Sequence, residues 1–146
     1  MKVLVPVINQ TDVFHDNLFR APLFAEYTID TYNDNDVYCS LNGTIDNPYS
    51  YLSNKDQTPC DKHMICDVES CAVQHLKEHY TLSKRLKHCD YILADHFCET
   101  MTNALHREGI NIYNISPFLH KTDIAIKNFL LGVSIASTLQ HIHFKA

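Results

Sequence analysis

The stretch Cys89-Asp-Tyr-Ile-Leu-Ala-Asp-His-Phe-Cys-Glu-Thr-Met-Thr-Asn-Ala-Leu-His-Arg-Glu-Gly-Ile-Asn-Ile-Tyr113 decides the fold. Its first apolar run predicts a strand over 90–94. Met101, Ala104 and Leu105 then fall at helical spacing, which predicts a helix over 98–108. Gly109 stands in the usual C′ position, and a second strand is predicted over 110–115. Strand, helix and strand in this order pair in parallel and predict an α/β domain. His96 and Cys98 fall where the first strand ends and the helix begins. That rim is where open α/β sheets bind ligands, because amides at a helix start point outward and the helix dipole favours negative charge. A thiol at that position is expected to have a lowered pKa and to be a good soft-metal ligand.

Working outward toward the N-terminus, short runs rich in β-branched and aromatic residues predict strands over 2–8, 23–30 and 36–41. Asn33-Asp34-Asn35 turns the second into the third. Residues 43–68 lack periodicity and read as a long loop. From about 71 to 88 the pattern is helical, with Val73, Leu76 and Tyr80 on one face, and a bend is expected near Thr81. Thr122-Asp123 is placed to cap a last helix through Ile126 and Leu130. The expected organisation is one domain over 1–131 with a Cys/His-rich loop at 43–71, followed by a C-terminal extension over 132–146.

With 146 residues the chain can bury a real core. Its net charge of −5 disfavours nucleic acid, whose phosphates reward a basic face. The apolar run 3–8 is too short for a signal peptide and no span reaches membrane length, so a cytoplasmic location is expected. The six cysteines are then expected as thiols rather than disulfides. Three glycines leave no glycine-rich phosphate loop, dinucleotide fingerprint or serine-hydrolase elbow.

Four segments carry a resemblance. Met1-Lys-Val-Leu-Val-Pro-Val7, Phe19-Arg-Ala-Pro-Leu-Phe24, Cys89-Asp-Tyr-Ile-Leu-Ala94 and Leu105-His-Arg-Glu-Gly-Ile-Asn-Ile-Tyr113 together resemble the dinitrogenase iron-molybdenum cofactor biosynthesis family, which includes NifX-like and NafY-like cofactor carriers. The resemblance implies a ribonuclease H-like fold with a five-stranded mixed sheet and helices on both faces. It also implies a non-enzymatic carrier of an iron-sulfur or iron-molybdenum cluster that works with cofactor-donor or acceptor proteins. Where the family has a glycine-rich strand-to-helix turn, this chain has Asp95-His96-Phe97-Cys98, whose side chains can bind metal directly. A nuclease of that fold needs a carboxylate on its first strand, and residues 3–8 offer none.

Three constellations carry candidate chemistry. His96 with Cys98 offers imidazole and thiolate to a cluster, against the plainer reading of a capping Asp95 with a half-buried His and Cys. His88 and Cys89, a strand length of roughly 13 to 17 Å away, cannot share that ion. Arg20 is expected at the same rim by family analogy, where its fork would meet an anionic cluster. Cys60, His63, Cys66, Cys71 and His75 form an alternative set for zinc or thiol redox regulation, although their spacing matches no standard zinc signature. His141-Ile-His143 is read as solvated tail.

Overall fold

The computed structural model describes residues 1–32, 36–50 and 73–145. Six strands form one mixed sheet: β1 (Lys2–Val7), β2 (Leu23–Thr31), β3 (Val37–Asp46), β4 (Tyr91–Ala94), β5 (Asn111–Asn114) and β6 (Ile142–Phe144). Three helices accompany them, α1 (Val73–Arg85), α2 (Glu99–Arg107) and α3 (Thr122–Gly132). The strand order is β5-β4-β1-β2-β3-β6. β1 pairs in parallel with β4, as β4 does with β5 and β3 with β6, whereas β2 runs antiparallel to both β1 and β3. Only β2 therefore opposes the common direction.

The side-chain alternation of β1 explains the layering. Val3, Val5 and Val7 face a core shared with Ala125, Ile126, Phe129 and Leu130 of α3. Leu4 faces the opposite core, with Leu82 and Leu86 around the end of α1 and with Met101 and Leu105 of α2. A strand buried on both faces reads as a continuous apolar run, which is what Val3 to Val7 shows. Each fully buried aliphatic side chain contributes about 1.5–3 kcal/mol.

Several sequence expectations need adjustment. β3 continues to Asp46 where a loop was expected from residue 43. Its pairing with β2 shifts register at Glu26/Tyr27, and Gly43 takes φ +145°, so a bulge carries the strand past a residue that looks like a loop signal. α1 runs unbroken through Thr81. Its buried face passes through His79, Leu82 and Ser83 and is continued by Leu86 just past its end, so the stripe turns on a buried histidine rather than on Tyr80. α3 begins at Thr122, but the Thr122 hydroxyl is not a cap: it pairs with the Tyr27 hydroxyl at 2.7 Å inside the core. The sheet has six strands rather than five because part of the stretch 132–146 returns to it. Ile142 and Ala136 are buried in the α3-side core, and β6 pairs with Val37 to Cys39.

The expected glycine stop of α2 is present. Gly109, at φ +76°, donates to His106 O and Ile110 donates to Leu105 O, the two bonds of a Schellman ending. Among the described residues no helix is long and apolar enough to cross a membrane.

Candidate functional site

The C-terminal ends of β1, β4 and β5 lie along one rim of the sheet, since these three strands run in parallel. At the β1/β4 boundary the connections diverge: β4 continues through α2 to β5, while β1 continues through residues 8–22 to β2. This is the topological switch point at which open sheets bind ligands. An open cleft of about 520 Å³ lies at the rim, lined by Asp95, His96, Asn114, Ile115, Ser116 and Pro117.

The stretch 8–22 is pinned to both neighbouring loops. Leu18 N–H donates to His96 O at 2.9 Å, and Val13 N–H donates to His120 O at 2.9 Å. His15 is thereby held between the turn after β4 and the loop after β5. Its Nδ1 stands 2.9 Å from Asp95 Oδ2, and its Nε2 stands 2.8 Å from the Leu119 carbonyl. The His120 ring meets it edge-on at 5.5 Å. The other Asp95 oxygen, Oδ1, lies 3.0 Å from His96 Nδ1. That contact is off the hydrogen-bond line, and neither of its two atoms has a hydrogen bond elsewhere among the described residues. The Asp95 side chain is only 4% exposed, whereas that of His96 is 40% exposed. A nearly buried carboxylate thus sits between two imidazoles, one of which opens onto the cleft.

Cys98 and Arg20 take the opposite course. Cys98 is the N-cap of α2, its Sγ accepts from Met101 N–H at 3.4 Å, and the same sulfur lies 3.5 Å from His79 Nε2. Burial pushes its thiol pKa up, against the pull of the backbone amides at the helix start. The sequence-based expectation of a lowered pKa is therefore corrected: position at a helix start was legible, but the inward turn of the side chain was not. Arg20, 3% exposed, donates from Nη1 to Tyr49 O and lies 5.1 Å over the Phe19 ring. Phe19 stacks in turn on His79, with centroids 4.0 Å apart. The structure accordingly does not bring His96, Cys98 and Arg20 into one exposed cradle. His96 alone of the three reaches the cleft.

Of the alternative zinc set, Cys60, His63, Cys66 and Cys71 lie outside the described residues, and His75 falls in the first turn of α1. Among the described residues no group of three or more His, Cys, Asp or Glu side chains is arranged to hold a metal ion. His141 and His143, read as solvated tail, both approach Asp36 Oδ1, at 3.2 and 3.1 Å, and hold its carboxyl below the usual aspartate range.

Sequence reasoning missed His15 and the central role of Asp95. Asp95-His96 directly after a strand was a readable signal. His15 gave none, because its partner lies 80 residues away.

No family model and no curated protein matches the chain. Among solved structures it is similar to a protein from Thermotoga described as a "putative NifB protein" of the DUF35 family, at 16% identity and a TM-score of 0.51, covering 90% of this chain and 88% of that one. It is also similar to the crystal structure of PH0822, at 12% identity and a TM-score of 0.49, covering 90% and 92% of the two chains. At such identities the Thermotoga likeness is one of fold.

Proposed function

We propose that this chain is a non-catalytic carrier that holds an iron-sulfur or iron-molybdenum type cluster at the rim and passes it to a partner protein of metallocluster assembly in the cytoplasm. The observation that carries this reading is His96, exposed at the cleft with its inner ring nitrogen backed by the buried carboxylate of Asp95. Imidazole suits iron and heterometal sites, and a carboxylate behind it raises its basicity as a ligand. A preassembled cluster brings its own bridging sulfides, so it needs few protein ligands. A carrier that must release its cargo is served by a low ligand count.

Two further observations support the reading. The mixed sheet with helices on both faces agrees with the ribonuclease H-like architecture that we infer from the family resemblance. The Thermotoga structure with a similar fold carries a nitrogenase-related name. In this reading Cys98 is a structural cap of α2 and Arg20 stiffens the stretch before β2, rather than both being first contacts of the cargo.

Anaerobic isolation of the full chain followed by iron, sulfide and zinc analysis tests the proposal. Visible absorption with iron and sulfide, lost in His96→Ala while the fold is kept, is the expected outcome. Colourless protein with one tightly held zinc would overturn it in favour of the Cys60 to His75 segment.

A further inference from the structure

Which nitrogen of His96 meets the cargo is set by its surroundings. Nδ1 is shut off from solvent and faces Asp95 Oδ1 at 3.0 Å, so Nε2 is the only ring nitrogen left for a ligand in the cleft. A ligand needs a lone pair there, yet an unconstrained neutral imidazole favours the opposite form, with its proton on Nε2. Something must hold the proton on Nδ1.

Asp95 is placed to do so. A carboxylate is acceptor-only, and a bare Nδ1 lying 3.0 Å from it would set two electron-rich atoms against each other, whereas an N–H is attracted even along a bent line. Asp95, only 4% exposed, is itself held in place from its other side. His15 holds it there: its Nε2 stands 2.8 Å from the Leu119 carbonyl and its Nδ1 stands 2.9 Å from Asp95 Oδ2.

Resting on the carrier reading above, we propose that Asp95 is a positioning residue that holds the His96 proton on Nδ1 and leaves the Nε2 lone pair to the cargo, with His15 fixing the Asp95 side chain through its other oxygen.

Two-bond proton-nitrogen correlations on the full chain, labelled with nitrogen-15 in histidine and held above the ordinary imidazole pKa of about 6.5, read the tautomer directly. In the native chain His96 is expected with Nδ1 protonated and Nε2 bare. Asp95→Leu removes the acceptor and is expected to shift His96 to the Nε2–H form. The same substitution weakens binding of a cluster assembled from ferrous iron and sulfide by about ten- to a hundredfold. A native His96 protonated on Nε2, or an unmoved tautomer in folded Asp95→Leu, would overturn the assignment. The native measurement decides even if Asp95→Leu does not fold. If the native chain takes up no cluster but its His96 holds the Nδ1 proton and loses it in Asp95→Leu, the carrier reading fails and the positioning role stands.

Discussion

His15 Nδ1 and Asp95 Oδ2 stand 2.9 Å apart, joining the stretch after β1 to the turn after β4. Asp95 is nearly buried, so its polar contacts come from this partner more than from water. His15→Ala is expected to cost about 1–3 kcal/mol, because it leaves a buried carboxylate without its counter-group. Urea unfolding of His15→Ala, Asp95→Ala and the double variant checks this. The double variant should lose clearly less than the sum of the two singles, and strict additivity would show that the contact contributes nothing.

Alkaline stability follows from the buried thiols. Burial pushes Cys39 from 9.0 up to about 11 and Cys89 from 9.0 up to about 12. Between the ordinary thiol value and these raised ones the folded chain keeps protons that the unfolded chain has lost. Stability contributed by these thiols is therefore complete below about pH 8.5 and falls as pH rises, by up to about 1.4 kcal/mol per pH unit for each thiol. Denaturation midpoints at about pH 8 and about pH 10 should differ accordingly, and replacing both cysteines with alanine should flatten the trend. An unchanged slope in that double variant would assign the loss to other groups.

Gly132 ends α3 against β5. A Cβ built there would lie 2.0 Å from Tyr113 Oη and 3.1 Å from its Cζ. Tyr113 cannot move away without disturbing its edge contact with Phe129, 5.1 Å between centroids. Gly132→Ala should consequently be milder, by about 1 kcal/mol, in a Tyr113→Phe background than in the native chain. Equal costs in both backgrounds would mean that the helix end gives way instead of the ring.

The C-terminal strand is the fourth test. Removing residues 139–146 takes away Ile142, which is buried, and uncovers the edge of β3 at Val37 and Cys39. We expect a loss of about 2–4 kcal/mol in chemical unfolding. A truncated chain as stable as the full one would make this segment dispensable to the domain.

The sequence carried the fold where local and long-range signals agreed. Leu93 and Ala94 mark β4, Gly109 closes α2, and the alternation of Val3, Leu4 and Val5 places β1 between two cores. It was silent where a side chain's role depends on partners distant in the chain. Thr122 looked like a cap and pairs with Tyr27. His79 lies buried between Phe19 and Cys98, partners 60 and 19 residues away in the chain. Gly43 looked like a loop and carries a bulge within β3. The rim was legible as a place. Its chemistry was not, because rotamers sent Cys98 and Arg20 inward and brought His15 in from another loop.

The most direct test of the central claim is reconstitution of the full chain with ferrous iron and sulfide under anaerobic conditions, comparing native protein, His96→Ala and the exposed control His106→Ala. The account predicts stable uptake with visible absorption in the native chain and in His106→Ala, and loss of that uptake in His96→Ala with unfolding behaviour unchanged. Equal uptake by His96→Ala would contradict it.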